Sequence, residues 1–179
     1  MSTVAKQGQS WPHQIYELLK AHRITLVSYV PDAGHRELIE RCEADETMRM
    51  VALTTEEEGV ALAAGAHLGG QRAVLLMQSS GVGNCINLFS LLATCGFPFL
   101  TLITMRGEYG EFNPWQVSMG QAVPTTLEAL GLIVHRATDP GEVREVVDGA
   151  ARLAFGSSCG VAVLLSQRLL GAKPFTEAK

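Results

Sequence analysis

Aromatic residues are scarce, at 6% of the 179-residue chain, and charged residues reach only 18% against 47% hydrophobic. A core with so few rings must be assembled from Val, Leu, Ile and Ala. The 18 glycines let backbones approach closely, as in sheets buried on both faces by helices. The hydrophobic share excludes a disordered chain. Cysteine is sparse too: Cys42, Cys85, Cys95 and Cys159 form no C-x-x-C pair and no dense segment. That spacing argues against a disulfide framework and leads us to expect reduced thiols in a cytoplasm. Clusters of basic residues are missing, and 14 Lys and Arg against 18 Asp and Glu leave a net charge of −4. Nucleic acid or an anionic membrane is therefore not expected as a partner. No apolar run reaches the roughly 18 residues of a membrane span. Met1 to Ser10 lacks the apolar core of a signal peptide. A soluble, cytoplasmic protein is the expectation.

What is present is a regular alternation. The length suits one domain, able to bury roughly 70% of its extended-chain surface. We expect that domain over residues 11–170, with a disordered polar tail over 1–10 and a frayed one over 171–179. Ile15, Leu18, Leu19 and His22 lie at helical spacing behind Pro12, and the β-branched run Ile24 to Val30 follows, ending at Pro31-Asp32. A helix from about Gly34 carries Leu38, Ile39 and Cys42 inward, and Met50 to Leu53 reads as a strand. Then come a helix from Thr55 to about Leu68, a strand over Ala73 to Met77, and a helix opened by Gly81-Val82-Gly83 with Ile86, Leu88, Leu91 and Leu92. Pro98 to Ile103 is the fourth strand. Met105 to Met119 has no period; after it follow a helix near Gln121 to Leu130, a strand at Leu132 to His135, a helix opened by Asp139-Pro140, and a strand at Val161 to Leu165. Six strands alternating with helices imply an α/β fold, a mostly parallel sheet with helices on both faces. Ligands of such sheets sit at the carboxyl ends of the strands, so four polar segments, after Val30, Leu53, Met77 and Thr104, should converge on one rim.

Three of these segments could carry chemistry. In Thr55-Glu56-Glu57-Glu58, Thr55 and Glu58 have capping-box spacing, and a well-capped helix explains the acids without any function. The apolar context, with Leu53 before and the small-residue stretch Gly59 to Ala66 after, allows one glutamate to be desolvated and tuned as a hydrogen-bond partner. Gly59 to Ala66 could pack either against another subunit or within the chain. In Gln78-Ser79-Ser80-Gly81-Val82-Gly83-Asn84, a glycine-rich turn could bring backbone N–H groups to a ligand or simply make a tight turn. Ile86 stands where a dinucleotide fingerprint needs its third glycine, and no P-loop is present. Arg106, just past a strand, could grip an anionic substrate or belong to a solvated loop. The five histidines have no H-E-x-x-H spacing, and no G-x-S-x-G elbow exists, so neither a zinc site nor a serine hydrolase is supported.

Glu56 with Gly65-Ala66-His67-Leu68 nine residues on, followed by Met77-Gln78-Ser79-Ser80-Gly81-Val82-Gly83-Asn84, resembles the pyrimidine-binding domain of thiamine-diphosphate-dependent decarboxylases. The likeness is strongest to the sulfopyruvate and phosphonopyruvate decarboxylases. Val30-Pro31-Asp32 matches as well, and the resemblance runs from about Ile15 to Leu165. It implies that Glu56 hydrogen-bonds N1′ of the aminopyrimidine as the catalytic carboxyl. Gln78, Ser80, Gly81, Gly83 and Asn84 would help to hold the cofactor, and Pro31, Asp32 and Arg106 would face an anionic 2-oxo acid. It further implies an alpha-type subunit. The family's magnesium-binding G-D-G motif is absent, the only Asp-Gly (Asp148-Gly149) lying in a helical pattern. Mg²⁺ and the diphosphate are then expected on a beta subunit, in a hetero-oligomer such as α2β2. 3-Sulfopyruvate is the first expected substrate and phosphonopyruvate the second; a catalytically silent partner subunit and an unrelated α/β small-molecule-binding module are the alternatives.

Overall fold

The computed structural model describes residues 10–171; the expected tails, apart from Ser10 and Gly171, lie outside the described residues. Six parallel strands, β1 (Ile24–Tyr29), β2 (Arg49–Ala52), β3 (Arg72–Gln78), β4 (Phe99–Thr104), β5 (Ile133–Ala137) and β6 (Gly160–Leu165), form one sheet in the order β2-β1-β3-β4-β6-β5. The chain steps from β1 outward to β2 and returns past β1 to β3, so the order reverses between β1 and β3. Crevices above the carboxyl ends of strands open at such reversals.

The central strands β4 and β6 are buried along their whole length. That is why they read as continuous apolar runs rather than alternating ones. Helices α1 (Trp11–Ala21), α2 (Arg36–Glu43) and α7 (Val143–Ser157) cover one face through Ile15, Leu19, Leu38, Val147 and Ala151. On the other face lie α3 (Glu57–Leu68), α4 (Val82–Cys85), α5 (Ser90–Cys95) and α6 (Pro114–Ala129), with Val60, Phe89 and Val123 in that core. A four-residue helix, α8 (Gln167–Leu170), follows β6. No helix among the described residues is long and apolar enough to cross a membrane.

Four local expectations need correction. The helix expected after Gly81 is two short ones, α4 and α5, separated by turns. The aperiodic stretch 105–119 ends in helix, because α6 begins at Pro114 after extended Asn113. Its outward Trp115 is 74% exposed and Val117 is also exposed, and these outward apolar residues hid the period. The Thr55 box is one-sided and displaced. Glu58 Oε2 accepts from Thr54 N–H at 2.9 Å, while no side chain caps α3, whose first residue is Glu57. Likewise α7 starts at Val143, not at Pro140; Asp139 Oδ1 accepts from Gly141 N–H instead, and Glu142 takes the N–H groups of Thr138 and Asp139. Asp148-Gly149 lies inside α7, as the pattern implied.

Candidate functional site

Glu56 stands at the end of the β2–α3 connection, immediately before the first helical residue. Its backbone carbonyl accepts from Gly59 N–H at 3.0 Å, so the first turn of α3 holds its position. The sheet beneath does the burying. Gly59 lets α3 lie close to β3, since a Cβ there would come within 2.5 Å of Leu75 Cδ1. Val60, Ala63 and Ala66 fill the rest of that contact, which makes much of the small-residue stretch an intrachain surface. Glu56 is therefore only 8% exposed, whereas Glu57 and Glu58 are exposed.

The carboxyl is held from the Ser79–Gly81 turn that continues β3. A Cβ at Gly81 would sit 2.5 Å from Cγ, Cδ and Oε1 of Glu56, so only glycine leaves the side chain its space. One turn on, Asn84 Nδ2 donates to Glu56 Oε2 at 2.7 Å. Oε1 accepts no hydrogen bond from any described residue. It is not among the fully buried atoms that lack a partner, so it keeps access to the rim and is free to accept an N–H brought by a ligand. Gly83 lies in α4 and faces α6, where a Cβ would meet Met119 Sδ at 3.5 Å.

A second cluster spans the ends of β1, β3 and β4. Asp32 Oδ1 accepts from Gln78 Nε2 at 3.0 Å, and Oδ2 accepts from Thr104 Oγ1 at 2.5 Å and Gly34 N–H at 3.1 Å. Ser80 Oγ extends the chain by donating to Gln78 Oε1 at 3.0 Å. Asp32 thus fastens the β1–α2 loop across two neighbouring strands. Gln78 and Ser80 continue into the turn that carries Gly81. Beneath them His35 is buried, its Nε2–H donating to the Leu102 carbonyl at 3.0 Å. Burial pushes its pKa below the usual histidine range, and Nδ1 has no partner. Pro31 is exposed beside this loop.

Arg106 lies at the rim with its guanidinium already engaged. Its Nε and Nη2 donate to the two carboxylate oxygens of Glu111, each at 2.6 Å, and its backbone N–H reaches Ser79 Oγ at 3.1 Å. Hydrogen bonding to Arg106 is the main reason the Glu111 carboxyl is pulled down to about 2. Buried Gln167 locks the same loop. Its Oε1 accepts from Glu108 and Tyr109 N–H at 3.0 Å each, and its Nε2 donates to Glu111. Gly107 completes the turn at φ +75°, against the Gln116 backbone. Sequence reasoning missed Ser79, His35, Thr104, Glu111 and Gln167. Signals existed for Ser79, inside the glycine-rich Gln78–Asn84 segment, and for Thr104, a polar residue closing an apolar run; Gln167 lies 56 positions from Glu111 and left none.

The structural groups fall into two linked parts of one rim: Glu56, Gly81 and Asn84 on the α3 side, and Asp32, Gln78, Ser80 and Thr104 across the strand ends. No family model matches the chain. The same fold occurs in a Mycobacterium smegmatis protein described as thiamin diphosphate-dependent, with a TM-score of 0.72 at 16% identity over 96% of this chain and 34% of that one. A sulfopyruvate decarboxylase of Methanosarcina acetivorans is 37% identical over 66% of this chain but only 30% of its own length. The sulfopyruvate decarboxylase subunit alpha of Methanothermobacter thermautotrophicus is 36% identical over 84% of this chain and 92% of its own. With that identity sustained over nearly the whole relative, the chain belongs to the sulfopyruvate decarboxylase alpha-subunit family.

Proposed function

We propose that this chain is the half of a two-chain, thiamine-diphosphate-dependent 2-oxo acid decarboxylase that receives the aminopyrimidine ring, and that its substrate is 3-sulfopyruvate. The reading rests on one observation: a buried Glu56 carboxyl with Oε2 held by Asn84 and Oε1 left open beside a glycine that no other residue could replace without displacing it. An aminopyrimidine offers ring nitrogens that pair with a carboxyl, and this donor set fits that end of the cofactor. The sulfopyruvate reading is supported by the name and the near-complete coverage of the Methanothermobacter relative.

The overall change is balanced by one proton: 3-sulfopyruvate takes up H⁺ and yields sulfoacetaldehyde and CO₂. Thiamine diphosphate, when bound, supplies the electron sink for the pair released as the carboxylate leaves. Glu56 Oε1 holds or exchanges a proton at the ring nitrogen, and the Asn84 bond to Oε2 keeps the carboxyl turned toward it. Gln78 and Ser80 maintain the turn that brings Gly81 against Glu56. Asp32, with Pro31, holds the β1–α2 loop at the edge where the 2-oxo acid would enter.

Magnesium and the diphosphate are assigned to a beta subunit. Among the described residues no three His, Cys, Asp or Glu side chains group as ligands, whereas magnesium bound beside phosphates takes carboxylate oxygens. The Methanosarcina relative, of which this chain matches only 30%, is consistent with the remaining machinery lying on further sequence. A hetero-oligomer such as α2β2 in a cytoplasm follows from this reading. The test is reconstitution with a candidate beta chain. Neither chain alone should release CO₂ from 3-sulfopyruvate, and Glu56→Gln should lower kcat of the assembled pair by a factor on the order of 10² or more. Near-wild-type turnover by Glu56→Gln would instead assign the chain a silent, stabilising role. Faster turnover of phosphonopyruvate would replace the substrate.

A further inference from the structure

A cavity of about 380 Å³ opens at the same strand-end rim, on the α1–α2 side, and Asp32, Gly34, Arg36, Thr104, Arg106 and Phe112 are among its walls. Resting on the decarboxylase reading, we infer that Arg36, not Arg106, recognises the distal oxyanion of the substrate.

Charge separates the two arginines. A 3-substituted pyruvate with a sulfonate carries two negative charges, and this chain carries a net −4. The carboxylates lining the cavity are Asp32, Glu37 and Glu40, and the first two are already compensated. Asp32 is caged by three donors, and Glu37 is paired with Arg41 at 2.9 Å and with the Ser10 hydroxyl. Behind the wall, Glu111 has Arg106 and Glu108 has Arg136. Arg106 has its fork filled by Glu111, and what remains lies over the Phe112 ring at 5.7 Å. Taking Arg106 for substrate would strand the Glu111 carboxylate, whose side chain is 3% exposed.

Arg36 differs on each point. It is exposed at the cavity wall and forms no ion pair among the described residues, not even with Glu40 one turn along α2. A guanidinium presents a planar fork of N–H donors that matches sulfonate, phosphonate or carboxylate oxygens bidentately. Arg36 is also the first residue of α2, where the helix dipole favours a negative charge. The cavity is joined to the Glu56 cradle through protein. Asp32 lines it and is hydrogen-bonded to Gln78, which is bonded to Ser80, the neighbour of Gly81.

The experiment uses the full chain reconstituted with its beta subunit. Sulfoacetate, which carries a sulfonate but cannot be decarboxylated as a 2-oxo acid, serves as the binding probe in calorimetry. Arg36→Gln is expected to weaken sulfoacetate at least tenfold and to raise KM for 3-sulfopyruvate comparably, with kcat within about threefold; Arg36→Lys should fall between. Exposed and without an ion pair among the described residues, Arg36 can be replaced without loss of the thermal transition, which is checked on each variant. Sulfoacetate affinity in Arg36→Gln within twofold of wild type, or absent from both, overturns the inference. A wild-type complex that binds sulfoacetate through Arg36 yet releases no CO₂ would sink the decarboxylase reading while upholding this one.

Discussion

Replacing Gly81 with alanine puts a methyl group where the Glu56 side chain lies. The new Cβ would be 2.5 Å from Glu56 Cγ, Cδ and Oε1, and relief to ordinary contact requires a shift of about 1 Å. That movement breaks the 2.7 Å bond from Asn84 to Oε2. A hydrogen bond to a charged group contributes about 1.5–3 kcal/mol. The backbone itself is no obstacle, because Gly81 has φ −67° and ψ −22°. Alanine there gains about 0.4–1 kcal/mol by restricting the unfolded chain. The net destabilisation is then about 1–2 kcal/mol, or a fall in Tm of about 2–8 °C for a chain this long. Turnover should suffer more, since a displacement of about 1 Å in a positioned group can cost on the order of 10² in rate. Calorimetric melting of the chain and CO₂ release by the reconstituted pair measure the two effects. Gly149→Ala inside α7, where no atom lies within 4 Å of a new Cβ, is the control and should raise stability by up to about 1 kcal/mol. A Gly81→Ala chain with unchanged Tm and turnover within threefold of wild type would refute the placement of Glu56.

Other consequences follow from the groups around the rim. Arg106→Gln leaves Glu111 without its cation and should cost about 3 kcal/mol, read from urea midpoints at neutral pH. Because Glu111 is held at about 2 in the folded chain against 4.5 ordinarily, its contribution is full above the ordinary value and lost as pH falls toward about 2. The variant should show a weaker acid slope. His35 has a lowered folded pKa from burial, so the folded chain binds fewer protons than the unfolded one. Stability should decline as pH falls below about 6.5, and urea midpoints at pH 7.5 and 5.5 should differ less in His35→Gln. Gln167→Leu removes the acceptor of the Glu108 and Tyr109 amides; their hydrogen exchange should quicken while β4 amides keep their protection.

Much of the fold could be read along the chain because the central strands are buried on both faces and therefore appear as unbroken apolar runs, as Phe99–Thr104 and Gly160–Leu165 do. Boundaries were harder where helices expose apolar residues. Trp115 and Val117 point outward, so the start of α6 carries no inward stripe to detect. The Thr55 box misled for another reason: Glu58 accepts from the N–H of Thr54 rather than of Thr55, whereas Glu142 does accept from the N–H of Asp139, in the turn before α7 begins. At the site, Glu56 could be singled out from its two acidic neighbours only through the family spacing to Gly65, and burial separates the three in the fold. Arg106 shows what spacing cannot convey. Its position past β4 suits an anion, yet Glu111, only five residues away, folds back onto the same guanidinium. Asp32 is likewise visible as a strand-end acid, while its three donors come from positions 34, 78 and 104 and meet only when β1, β3 and β4 align.

A crystal structure of the assembled two-chain complex with thiamine diphosphate bears most directly on the role given to Glu56. Its Oε1 should lie within hydrogen-bond distance of a nitrogen of the aminopyrimidine ring, with Asn84 still bound to Oε2. A ring seated elsewhere, or a Glu56 carboxylate turned to solvent in the assembled complex, would contradict the account.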